Sequence, residues 1–582
     1  MIARVRRLFG LVAALPPALR LVLFVVAILH TVGIGWGLPA SDTWDNDGVA
    51  PRDFLPGLAA TYTPGDFYTY PPLHLALLAV LTLPITLIAA ARAGSTRIPD
   101  VLQEIIQPPY MTAMALTARI VAVLMSLGIV LAVAKLTEEI APEPQKKRAP
   151  AFAAATVGLG ISFTYYAHVS NLDVPYLFWA SLSALALVRA VARREPRRLR
   201  SFAVLAALAI ATKDQAYAMF LGAAPAIVLL WMLRDRDDAR RILREGAIGA
   251  ALALAVLLVV DGAVTNPSGF RARLAFLGGS ASQDFATYVK GPAGWANVIV
   301  DTGKELRSHY AAPLFFGGLY LLGARDALRR REAATTTVAA LVPLALALSF
   351  TLFFNLTARR VEERFTLPQV VFLGAYAGIA LARLAEARAL RWLVRGAIVA
   401  ALGLAAFTCI ELDANLLGDP RYATEAYLAS HAARGDVVEL HGLNVYLPRI
   451  VPGPSFERPG PTPAARRGPI PGLREIEAPY TDVMERAPRF IVVSECWVWR
   501  YLPDLFVHTP EGRVQPPTQL ADAADRDATR FYGALFGGEL PYRLVHESRF
   551  THPLFRRVSL HGSVGCPVYT FERDAAGEGA PR

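Results

Sequence analysis

A chain of 582 residues that is 54% hydrophobic and only 18% charged, with a mean hydropathy of +0.37, is too apolar to be a soluble protein of that length. Its net charge of +11 does not point to nucleic acid, because the arginines fall in clusters between apolar runs rather than along one basic face. Three cysteines exclude a disulfide scaffold and a thiolate-rich metal site, although Cys496 and Cys566 share the C-terminal region and could pair in an oxidising compartment.

In chain order, apolar runs cover roughly 20–38, 72–92, 111–135, 150–168, 173–192, 200–212, 215–233, 245–264, 309–323, 335–355, 365–383 and 392–412, about twelve membrane elements. Arg4, Arg6 and Arg7 precede the first run and no small-residue cleavage site follows it, so it reads as a retained span with a cytoplasmic N-terminus. Basic clusters at 146–148, 193–200, 234–241, 325–331 and 383–395 recur after every second run and should be cytoplasmic. They agree with the N-terminal arginines only if one early element fails to cross. The run 72–92, which opens on Pro71 and Pro72 and contains Pro84, is expected to be that re-entrant or interfacial helix. The fold class is therefore a polytopic α-helical membrane protein of about eleven spans plus that helix. The loops 39–110, 168–173, 212–215, 265–308 and 355–364 and the C-terminal tail then lie on the outer face, in a plasma (inner) membrane.

Character changes after residue 413. Helix-like 423–433 and strand-like 437–440, 490–493, 542–546 and 568–571 predict a small extracytoplasmic α/β domain over 413–582, following a membrane domain over 1–412. The stretch 448–479 is too rich in proline and glycine for regular structure. Trp497, Trp499 and Tyr501 are candidates for stacking on a sugar or for an aromatic core. The chain carries no internal repeat, P-loop, dinucleotide fingerprint or His-Glu-x-x-His helix. The Asn355-Leu356-Thr357 sequon lies too near a span end for easy modification.

Four polar groups fall on the predicted outer face. The loop from Ser41 to Gly48 holds Asp42, Asp45 and Asp47, with Asp53 beyond, each either a solvated loop acid or a functional one. His168 and Asp173 sit between two runs, where Asp173 before Val174-Pro175 could serve as a helix cap. Lys213-Asp214 breaks a long apolar stretch; the two could pair with each other, or the lysine could bind a phosphate. Arg359, Arg360 and Arg364 stand against the positive-inside trend, and their planar forks suit phosphate unless Glu362 and Glu363 neutralise them.

The acids after Trp44, the Tyr70-Pro71-Pro72-Leu73 motif, the Asn171-Leu172-Asp173-Val174-Pro175 turn and Arg364-Phe365-x-Leu367-Pro368 together resemble the glycosyltransferase C superfamily. Within it, the likeness is to the protein O-mannosyltransferase and aminoarabinose transferase branch, over about residues 15–412. The resemblance implies a transferase that moves a sugar from a polyprenyl-phosphate donor to a lipid, glycan or protein acceptor on the outer face. It implies Asp47 as catalytic base, with Asp45 as competitor, since Gly48 stands where a glutamate is expected. Tyr70 stands where the aminoarabinose branch has a lysine, which removes a cation near the donor site. Tyr70, His74, His168, Asp173, Lys213, Arg359, Arg360 and Arg364 become substrate-binding candidates.

A phosphate on an anomeric carbon is a good leaving group, so one base suffices and displacement inverts the centre. No cofactor is expected, although Asp45, Asp47 and Asp173 could alternatively gather around magnesium or manganese. The alternative from another class is a secondary transporter or flippase, which would place ionisable groups at the bilayer midplane on broken helices.

Overall fold

The computed structural model describes residues 13–45, 48–279, 283, 286–329, 334–387, 391–461, 470–502, 523–558, 560 and 563–574. Two units are compact within themselves: one of 1–34, 53–83 and 117–410, the other of 35–52, 84–116 and 411–582.

The first unit is helical. Among the described residues seven helices are long and apolar enough to cross a membrane: Pro108–Ile140, Asp173–Ala192, Asp214–Arg234, Ala239–Val260, Thr335–Ala358, Leu367–Glu386 and the apolar part of Arg391–His431. The run 72–92 breaks at Thr82 into Leu73–Leu81 and Leu83–Ala93, with a 67° bend between them; counted as one span, the pair raises the number to eight. Pro17–Leu29 and Ala149–Gly158 are shorter apolar helices. The run 150–168 is two helices, because the chain turns at Leu159-Gly160 before Ile161–His168. On Ala239–Val260 the side chains of Leu252, Leu254 and Val259 are exposed, which a bilayer accommodates and water does not. The chain is a multi-pass membrane protein.

Small residues let these helices approach closely, as they must where dispersion rather than the hydrophobic effect drives packing. A Cβ built on Gly323 of Pro313–Leu328 would stand 1.8 Å from the carbonyl oxygen of Tyr376, and one on Gly378 would stand 2.6 Å from that of Ala149. Leu367–Glu386 is thereby locked against two neighbours.

The second unit holds a six-stranded sheet in the order β3-β2-β1-β4-β6-β5. Its strands are β1 (Val437–His441), β2 (Ser455–Gly460), β3 (Leu473–Glu477), β4 (Phe490–Ser494), β5 (Tyr542–Ser548) and β6 (Val568–Arg573). The first four are parallel, β6 runs antiparallel to β4, and β5 runs antiparallel to β6. Alternation along β4 sends Phe490 and Val492 to one core, with Leu428, Val438 and Phe456. Ile491 and Val493 go to the other, with Phe531, Tyr532 and Leu535 of helix Ala523–Gly537. Trp497 belongs to this second core, and Tyr501 packs against it, so the aromatic-core reading of both describes them.

β2 and β3 lie inside 448–479, where regular structure was not expected. β2 carries Glu457 and Arg458, charges that argue against a buried strand until their partners are seen: Arg458 pairs with Glu475 at 2.5 Å, and Glu457 with Arg474. Pro459 is tolerated because β1 pairs with β2 only as far as Glu457. Cys496 and Cys566 form a disulfide.

Segment 35–52 packs with this domain. Trp36 Nε1 donates to Asp419 Oδ2 at 3.0 Å and Trp44 Nε1 to the Leu447 carbonyl at 2.9 Å. The Arg421 guanidinium lies 3.7 Å over the Trp44 ring while pairing with Asp419 at 2.7 Å.

Candidate active site

In the first unit the loops that the parity argument placed on one face meet one another. Asn171 Oδ1 accepts the backbone N–H of Asp173 at 2.8 Å, an Asx turn that starts helix Asp173–Ala192 and leaves the Asp173 carboxylate free of capping. Asp173 Oδ1 instead accepts Lys213 Nζ at 2.7 Å and Gln215 Nε2 at 3.4 Å, and Gln215 also donates to Tyr176 Oη at 3.1 Å. Asp173 is fully buried, and its Oδ2 and the Asn171 Nδ2 have no hydrogen-bond partner among the described residues. Lys213 comes from the turn between Arg198–Ile210 and Tyr217–Arg234. That turn also receives the proline motif, since the Leu73 N–H donates to the Ala211 carbonyl at 3.1 Å. Lys213 therefore pairs with Asp173, and Asp214, its sequence neighbour, pairs with Arg273.

Arg273, from Pro267–Gly278, is buried; it donates to the Thr69 carbonyl at 3.4 Å and lies 5.1 Å over the Tyr68 ring. Tyr68 in turn donates to the Asp261 carbonyl. Burial pushes the Asp261 carboxyl up to about 7, with nearby Asp214 adding to the rise and Arg273 opposing it. Sequence reasoning passed over Asp261 and Arg273. The available signal was an acid at the end of an apolar run and a further arginine in a loop between runs.

The arginine loop follows a π-helical turn, Thr351–Asn355, a form common where function distorts a helix. Asn355 is fully buried, and its amide donates to the carbonyls of Arg360 and Phe365 at 3.1 and 3.2 Å, which closes the sequon to modification. Arg359, at a left-handed φ of 52°, donates to the Tyr288 carbonyl at 2.6 Å and to Gln283 at 3.0 Å. Arg360 and Arg364 both pair with Glu362, at 2.9 and 3.0 Å, and both lie over the Phe365 ring. Partial neutralisation is thus real, with Glu362 facing two guanidiniums. Tyr166 joins this loop to the first cluster: its hydroxyl donates to Glu363 at 3.4 Å and lies within electrostatic reach of Asp173 and Arg364.

Other expected residues stand apart. His168 is buried with its ring nitrogens against the carbonyls of Thr164 and Val32. His74 is buried with Nδ1 unpartnered, whereas Tyr70 is about half exposed. Asp45 belongs to the second unit and is buried, its carbonyl accepting the Gly48 N–H at 3.2 Å. Asp47 lies outside the described residues. Among the described residues no group of three His, Cys, Asp or Glu side chains is placed to hold a metal ion.

The fold is that of a polytopic helical membrane protein with an α/β domain. Among solved structures it is similar to ArnT from Cupriavidus metallidurans bound to undecaprenyl phosphate, with 15% identity, a TM-score of 0.48, and 96% of this chain and 99% of that one covered. The same ArnT in the apo state gives 15% identity and a TM-score of 0.47, covering 97% and 98%. The Archaeoglobus fulgidus oligosaccharyltransferase tethered with an acceptor peptide gives 12% identity and a TM-score of 0.44, covering 95% and 88%. No family model matches the chain, and no curated protein matches it.

Proposed function

We propose that the protein is a membrane glycosyltransferase that moves a sugar from a polyprenyl-phosphate carrier to a hydroxyl of a lipid, glycan or protein acceptor on the extracytoplasmic face. The observation that carries this reading is the buried Asp173–Lys213 pair, tied through Tyr166 to a loop of three arginines where helices of an apolar body end. A polyprenyl tail dissolves in the bilayer, so only the head group needs polar contacts. Arg360 and Arg364 offer planar forks to the phosphate, with Lys213 as a point charge beside them. Charge growing on the departing phosphate is stabilised by such donors by about 3 kcal/mol each. The acceptor proton goes to a carboxylate of the first loop, Asp47 or Asp45, as the hydroxyl oxygen attacks the anomeric carbon opposite the phosphate and inverts it. A transporter would carry its ionisable groups mid-helix, whereas these sit in turns between helices.

The test is transfer of label from a panel of radiolabelled polyprenyl-phosphate sugars into lipid, glycan or protein in membranes. Wild type should transfer from at least one donor, while Asp47→Asn and Asp45→Asn are compared and Arg364→Ala raises the donor KM. Absence of transfer from every donor by folded protein with acceptors present would overturn the proposal.

A further inference from the structure

The second unit contains a cavity of about 230 Å³ that the chemistry above does not use. It is smaller than the roughly 300–1,000 Å³ typical of drug-sized ligands, which suits one sugar ring better than a lipid chain or a peptide segment. Trp44, Leu447 and Ile450 give it apolar walls, and Asp42, Asn444 and Arg449 give it polar ones.

Both charges on its lining are compensated within the same unit. Asp42 Oδ2 accepts from Arg52 at 2.5 Å and from Asn444 at 2.6 Å, while its Oδ1 accepts the Thr43 N–H at 2.8 Å. Arg449 grips Glu425 through Nε and Nη2 and donates through Nη1 to the Leu38 carbonyl at 2.7 Å. An anion entering here gains no uncompensated cation, so phosphate and carboxylate ligands are disfavoured. A neutral polyol places its C–H face on the apolar walls and a hydroxyl on Asp42, whose oxygens retain acceptor capacity. The walls are preorganised: Trp44 is buried and fixed by Leu447 and Arg421.

We infer that this cavity binds a neutral glycosyl residue, and, on the transferase reading above, that this residue belongs to the acceptor. The cavity is built on the loop that carries Asp45 immediately after Trp44, so a sugar seated in it is held by the segment assigned the base.

The test uses the full chain in lipid nanodiscs and saturation-transfer NMR with galactose, glucose, mannose and arabinose, with glucuronate and inorganic phosphate as anionic controls. At least one neutral sugar should bind, and Ala40→Trp or Ile450→Trp should weaken that binding at least 10-fold. Gln107→Trp, at a half-buried lining position, serves where the others fail to fold. The inference is overturned if no neutral sugar binds, if the filled variants bind equally well, or if only the anions bind. Binding is read without turnover, so a sugar lost on filling supports the cavity even if no transferase activity is found. Where transfer is measurable, the same variants should raise the acceptor KM at least 10-fold with the donor KM unchanged; an unchanged acceptor KM overturns the acceptor assignment alone.

Discussion

Asp173 holds Lys213 at 2.7 Å through Oδ1, while its Oδ2 is buried without a hydrogen-bond partner among the described residues. Forty residues separate the two in sequence. Removing one member leaves a buried charge uncompensated, at a cost of about 3–5 kcal/mol. Lys213→Met alone should therefore lower the melting temperature strongly. Asp173→Asn with Lys213→Met should recover most of that loss yet remain inactive in transfer. A loss in the double variant equal to the sum of the losses in Lys213→Met and Asp173→Asn in a thermal-unfolding cycle would show that the pair is not coupled.

Glu362 faces both Arg360 and Arg364, so it tempers the positive charge of the loop. Glu362→Gln should lower the donor KM several-fold at low ionic strength, with the gain shrinking as salt screens the interaction. A donor KM insensitive to this change would remove the arginine loop from phosphate recognition.

The Asp261 carboxyl, held at about 7 by burial, gives stability an unusual pH dependence. Its folded value lies above the roughly 3.9 of an unfolded aspartate, so its contribution is fully present below about pH 4 and is lost as pH rises through 7. Wild type should melt lower at pH 8.5 than at pH 5.5. Asp261→Asn should flatten that difference, a change on the order of a few kcal/mol. Parallel pH profiles for the two proteins would refute this.

The α/β domain should show the opposite sign. Glu439 and His441 point to the aromatic side of β1, where His441 Nε2 lies 3.2 Å from Glu439 and Arg486 pairs with Glu439 at 2.7 Å. Burial raises Glu439, but bonds from His441 and Arg486 outweigh it and hold the carboxyl below its usual range. Burial holds His441 low against the pull of Glu439. Both depressed values mean stability that is present at neutral pH and lost as pH falls, from about 6.5 for the histidine and below about 4.5 for the glutamate. Arg486→Gln should cost about 3–5 kcal/mol and advance acid unfolding, read as protease sensitivity of the domain. Unchanged protease resistance between pH 7 and 4 would count against it.

Gly323→Ala places a methyl group where only 1.8 Å separates the ideal Cβ from the Tyr376 carbonyl oxygen. The helices must part, so folded yield and melting temperature should both fall, by about 2 kcal/mol or more. The same substitution at Gly318, with nothing within 4 Å, should be neutral.

The helical body was legible because its signal is local: apolar length, prolines at helix starts and arginines between runs. Strands β1, β4, β5 and β6 were legible for the same reason, as stretches rich in β-branched and aromatic side chains. β2 and β3 were hidden because 448–479 is rich in proline and glycine, while the pairs Arg458–Glu475 and Glu457–Arg474 join neighbouring strands that local pattern does not link. The polar groups in the loops were legible as types but not as pairs. Lys213 beside Asp214 invites a local ion pair, whereas each takes a partner from another loop.

By itself the sequence determined a multi-pass helical chain with a C-terminal α/β domain, because hydropathy and periodicity act over a few turns of helix or strand. Tertiary structure alone decided that Asp173 meets Lys213, that Cys496 meets Cys566, and that Trp44 hydrogen-bonds Leu447 across 403 residues. Those choices depend on compensating buried charge and polar groups between distant segments. Local pattern carries no record of which partner lies opposite.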